Sequence, residues 1–144
     1  MTHEDAGHYK AKHPDGTRFD PEIADALAGK VADGEVTCCT AHKVAQEFDV
    51  APSEVGKAAD LMEYRIIECQ MGLFGYSPEK RIVKPAAEIS EELHERILAA
   101  TVEERIPCAE GWRIAQELGL AKLAVSSACE KLGLKIKPCQ LGAF

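Results

Sequence analysis

Apolar positions recur at helical spacing along most of the chain, and they do so twice. Ile23, Leu27 and Val31 stand four residues apart after Asp20-Pro21. Leu93, Ile97 and Thr101 stand at the same spacing after Ser90-Glu91. Such spacing lines up one face of a helix, and Asp or Ser followed by Pro or Glu makes an N-cap and first turn. A short β-capable stretch follows each of these helices, at 35–38 and 105–108, and two more helical patterns follow each stretch. The pattern predicts helices near 21–33, 40–48, 52–64, 91–102, 109–118 and 122–132. Residues 65–73 and 81–84, on either side of the turn sequence GYSPEK, predict a β-hairpin.

The two halves are copies. Residues 20–74 lie over 90–144 without a gap, matching Cys38 with Cys108, Ala45-Gln46-Glu47 with Ala115-Gln116-Glu117, and Val55 and Ala58 with Val125 and Ala128. The match runs to the end: Ile66, Cys69, Gln70, Gly72 and Phe74 against Ile136, Cys139, Gln140, Gly142 and Phe144. An unbroken register over this length is the mark of an internal duplication. It divides the chain into a polar arm (1–19), a first repeat (20–74), a wing and linker (75–90) and a second repeat (91–144).

The segments KVAQEFDVAPSEVGKAAD and RIAQELGLAKLAVSSACE carry the sharpest signal. Ala45 and Ala115 supply the small residue a first helix needs where a second crosses it closely. Asp49 and Gly119 sit where a tight turn calls for a left-handed backbone. Apolar residues flank that turn and line one face of the helix beyond it. This resembles the helix-turn-helix of prokaryotic transcription regulators, and the hairpin after the third helix makes it similar to the winged variant. The resemblance implies a mainly α fold with small β-hairpins: two winged helix-turn-helix repeats in tandem, related by a pseudo-twofold axis. It also implies double-stranded DNA as partner, with a homodimer or a protein partner as alternatives.

Charge changes that picture. The chain carries a formal −7. Residues 1–74 hold seven Lys/Arg against fourteen Asp/Glu, whereas residues 75–144 hold ten of each. DNA affinity comes largely from cations that neutralise phosphates. On the third helix of repeat one, Ser53, Glu54, Lys57, Asp60 and Glu63 are expected on an acidic outer face. Repeat two offers Arg113, Lys122, Lys131, Lys135 and Lys137, with Ser126 and Ser127 as short donors for base edges. The expectation is a DNA-binding regulator of transcription whose second repeat docks on DNA and whose first serves association. The alternative is a winged-helix protein-interaction module that binds no DNA.

Little else points to chemistry. No nucleophile elbow, phosphate loop, zinc-protease or calcium-loop motif is present, so no enzyme is expected and no cofactor is implied. Cys38, Cys69, Cys108 and Cys139 recur in both copies. They are expected as core thiols; if a metal site exists, they are its candidate ligands. Cys39 and Cys129 recur in neither. His3, His8 and His13 fit a solvated arm that Tyr9 and Phe19 anchor. Trp112 is expected in the core. The repeated Gln70/Gln140 suggests a specific hydrogen bond between the two copies, its partner left open by the sequence. No apolar run approaches the roughly 20 residues of a membrane helix, and the polar start lacks a signal-peptide pattern. The expected setting is cytoplasmic.

Overall fold

A computed structural model describes residues 7–143; His3 and Phe144 lie outside them. Among the described residues there are six α-helices and four short strands: α1 (Pro21–Ala28), β1 (Glu35–Thr37), α2 (Cys38–Glu47), α3 (Pro52–Leu61), β2 (Arg65–Ile67), α4 (Glu91–Ala100), β3 (Arg105–Ile106), α5 (Cys108–Leu118), α6 (Lys122–Lys131) and β4 (Lys135–Ile136). A single 3-10 turn, Tyr9–Lys12, precedes them. The fold is mainly α. All six helices begin within two residues of expectation, but α1 stops at Ala28, capped by Gly29, and α3 at Leu61, short of the expected 33 and 64, so Val31 lies beyond α1 and Thr101 beyond α4. The Asp20 carboxylate accepts from the Glu22 amide and Ser90 Oγ from the Leu93 amide. Gly119, at φ +66°, ends α5.

The duplication reaches the backbone. Left-handed φ angles fall at equivalent positions: Asp33 and Glu103, Gly34 and Glu104, Asp49 and Gly119, Glu63 and Gly133, Gly72 and Gly142. Glutamate takes positive φ reluctantly, so the turn geometry has been kept where its favoured residue has not. The turn between helices two and three is closed the same way in both copies. The Val50 amide donates to the Ala45 carbonyl at 3.0 Å, and the Leu120 amide to the Ala115 carbonyl at 2.8 Å. These are the small residues singled out in the sequence.

The strands differ from expectation. β1 pairs with β2 in parallel, Val36 opposite Ile66, and β3 pairs with β4 in parallel, Ile106 opposite Ile136. Antiparallel pairing among the described residues is confined to isolated bridges, Ala32 with Glu35 and Val102 with Arg105; 65–73 and 81–84 form no hairpin, so the expected wing is corrected. Strand β2 stops at Ile67 because Glu68 turns to φ +51°. Beyond it the Ile82 and Val83 amides both donate to the one Gly72 carbonyl, at 2.9 and 3.1 Å. Two amides on one acceptor close a loop; they cannot start the alternating ladder of a hairpin.

Two compact units emerge, and their division does not follow the repeats. The first holds the described residues to Cys69 together with 141–143; the second runs from Gln70 to Gln140. The first core is Ile23, Leu27, Val36, Val44, Val55 and Ile66. The second is Leu93, Ile97, Ile106, Ile114, Val125 and Ile136. Each unit is completed by the end of the other repeat. In the first unit Leu141 lies over α3, so close that a Cβ on Gly56 would sit 1.7 Å from the Leu141 carbonyl oxygen. In the second, the Met71 side chain reaches Gly111 on α5, where a Cβ would stand 2.9 Å from Met71 Cε.

Candidate nucleic-acid interface

A helix that reads a DNA groove must present one open face, with base-contacting side chains toward its N-terminal end. Helices α3 and α6 are the third helix of each repeat, the ones expected from the sequence to take that role, and both have a face occupied by the chain itself. On α3, Glu63 just beyond the helix accepts the Tyr9 amide at 2.9 Å and the Lys10 amide at 3.2 Å. Asp60, 2% exposed, is held by His13 Nε2 at 2.8 Å and Lys12 Nζ at 3.1 Å. Lys12 Nζ also donates to the Gly142 carbonyl at 3.1 Å. Tyr9 is buried and Phe19 half-buried. Asp60 and Glu63 are therefore not on an open acidic face, and His13 is not a solvated arm residue: buried Asp60 draws Lys12 and the His13 ring down.

On α6 the cover is segment 72–87. Leu123 packs at Gly72, the Ala86 amide donates to the Ser127 carbonyl at 3.0 Å, Arg81 pairs with Glu130 at 2.8 Å, and Lys131 Nζ donates to the Ala87 carbonyl at 2.6 Å. Leu123, Ser127, Glu130 and Lys131 form the i, i+4, i+7, i+8 stripe of one helix face. Asp60 and Glu130 stand at the same position of the repeat. Each takes a cation from the segment preceding its own repeat.

The residues expected to touch DNA are scattered by this arrangement. Ser126 is 1% exposed and its hydroxyl meets no hydrogen-bond partner among the described residues. Its expected place on the open face is corrected: it falls on the buried side with Val125 and Cys129. Ser127 is half-buried under Ala86. Arg113 is exposed but held by Glu110 at 2.5 Å and Glu117 at 2.9 Å. Those two carboxylates raise its pKa further, while Arg113, helped by Arg96, lowers that of Glu117. Its charge is thus already balanced. Lys122 Nζ stands 4.2 Å from the centre of the half-buried Trp112 ring, and Lys131 is spent on Ala87. Lys135 and Lys137, at β4, are exposed and make no ion pair among the described residues.

The repeated thiols fall as pairs, one pair to each unit. Cys38 and Cys108 open α2 and α5, and both are buried, as is Cys69; Cys139 is half-buried. The Cys108 amide donates to the Pro138 carbonyl at 3.1 Å, and Gln140 Nε2 donates to Cys108 Sγ at 3.5 Å. The Gln140 bond thus stays within its own repeat. Among the described residues no group of three or more His, Cys, Asp or Glu is placed to hold a metal ion. Cys129, set aside in the sequence, is buried, and burial, then the neighbouring Glu130 charge, push its thiol up to about 11. No described helix is long and apolar enough to cross a membrane.

No protein-family model, curated protein or solved structure matches this chain.

Proposed function

We propose that the protein is a protein-interaction module built from two helix-turn-helix repeats, and that neither repeat inserts its third helix into DNA. The observation that carries this is the cover on α3 and α6. To enter a groove, α6 would have to shed the Ala86–Ser127, Arg81–Glu130 and Lys131–Ala87 contacts along its outer stripe. At its N-terminal end Leu120 and Leu123 stay exposed, at 39% and 37%, with Ala121 and Ala124, and Lys122 is half-buried. Such side chains suit an apolar partner better than base edges. Lys135 and Lys137 favour the second reading, a DNA-binding regulator of transcription that grips phosphates through repeat two.

A selection of genomic fragments on the purified chain, run at low and at moderate salt, separates the two. The interaction module retains no fragment at either salt. Retention at low salt that falls steeply with added salt, and is lost in Lys135→Glu/Lys137→Glu, would establish the regulator instead.

A further inference from the structure

The exposed large apolar side chains among the described residues are Ile82, Leu98, Val102, Leu120 and Leu123. All belong to the second compact unit. Two of them converge on one spot: a Cβ on Gly72 would meet Leu123 Cδ1 at 2.6 Å and Ile82 Cγ1 at 3.1 Å. They close over the glycine yet stay 37% and 39% exposed. Leu120 lies two residues before the start of α6, the helix that carries Leu123. At the position of Leu123 the first repeat has Ser53. Around this spot the charge is basic. Lys80, Arg81 and Lys84 flank Ile82 and are exposed, and Lys122 precedes Leu123. Lys80 and Lys84 make no ion pair among the described residues, whereas Arg81 is held by Glu130.

We propose that Ile82 and Leu123 form the docking site for a segment of another protein that presents apolar side chains flanked by Asp and Glu. The proposal rests on the interaction-module function and names its partner class. A basic rim selects acidic neighbours, and the apolar centre supplies anchorage that charge alone does not. A second copy of this chain fits poorly on both counts. Set patch against patch, it brings basic rim to basic rim. Its acidic first repeat offers charge, but no exposed large apolar side chain among the described residues. A nucleic acid satisfies the rim and leaves the leucine and isoleucine against a polar backbone.

The test is a random-peptide display selection on the full chain, followed by anisotropy titration of the selected peptides. The peptides are expected to share acidic residues around apolar anchors. Their affinity should fall roughly tenfold or more in Leu123→Ser. It should fall with added salt and in Lys80→Glu/Lys84→Glu, and stay unchanged in Lys57→Glu. Ile82→Ser gives the same loss by a second route should Leu123→Ser fold poorly, and sedimentation of each complex reports whether peptide binding leaves the chain's association unchanged. Peptides that ignore both apolar substitutions overturn this site and leave the interaction module standing. Selection of no peptide overturns the site, and joined with salt-sensitive retention of DNA it overturns the module as well.

Discussion

Helices α3 and α6 occupy the same place in a duplicated backbone and differ in how they are covered. Over α3 the cover is tight. Asp60 is buried beneath Lys12 and His13, and Leu141 lies against a glycine that leaves no room for a methyl group. Over α6 the cover is looser. Glu130 and Arg81 remain 35% and 51% exposed, and Leu123 shows through. The same position of the repeat thus holds a buried acid in one copy and a surface acid in the other. Duplication kept the architecture and left one copy closed and the other with an apolar surface.

Substitution at Gly56 breaks this comparison most sharply. Gly56→Ala drives a Cβ into the Leu141 carbonyl, where the neighbour is backbone and cannot rotate away. Overpacking of this kind costs on the order of 3 kcal/mol, read as a lower urea midpoint. At the equivalent position Ser126→Ala removes a buried hydroxyl that has no partner among the described residues, and is expected to leave stability unchanged or slightly higher. Equal losses at both sites would mean the two covers are alike.

The acids at the equivalent positions come next. Asp60→Ala strips Lys12 and His13 of a buried partner and is expected to cost about 2 kcal/mol. Glu130→Ala breaks an exposed pair and is expected to cost about 0.5 kcal/mol or less. Urea unfolding of the two variants measures the difference directly. Limited proteolysis sharpens it: Asp60→Ala should expose the 7–13 arm to cleavage.

A smaller loss than that at Gly56 or Asp60 is set by Cys129, a thiol without a counterpart in the first repeat. Its pKa is pushed up to about 11 by burial, so the folded chain holds the proton more tightly than the unfolded chain. The resulting stability is complete below the unfolded pKa and is lost as pH rises through the folded one. Between pH 9 and 10 the loss is about 1 kcal/mol. Cys129→Ala should be flatter than the parent over that window, and the parent thiol should react slowly with a modifying reagent until the chain unfolds. Stability curves of identical slope would show that Cys129 is not the group responsible.

The helices were legible in the sequence because the information is local. An i, i+4 pair marks a helix wherever it is placed, as Ile23 with Leu27 and Leu93 with Ile97 do, although Val31 and Thr101 at i+8 fall beyond the helix ends, and a small residue before a turn fixes the crossing of the next helix. Duplication added a second copy as an internal check. The strand pairing was not legible. β1 and β2 are three residues each, too short for alternation to declare a partner, and parallel pairing depends on where the intervening helices bring the chain. Nor were the covers. Segment 72–87 holds α6 partly through backbone amides and carbonyls, at Ala86 and Ala87, and every residue carries those groups alike. Ser126 shows the limit at one residue. Its hydroxyl marked it as a donor for DNA, but its angular position beside Val125 and Cys129 turned it inward. The sequence by itself determined the repeat, the helices and their turns, because these follow from spacing along the chain. The tertiary structure decided which faces stay open, because that depends on which distant segments come to lie upon them.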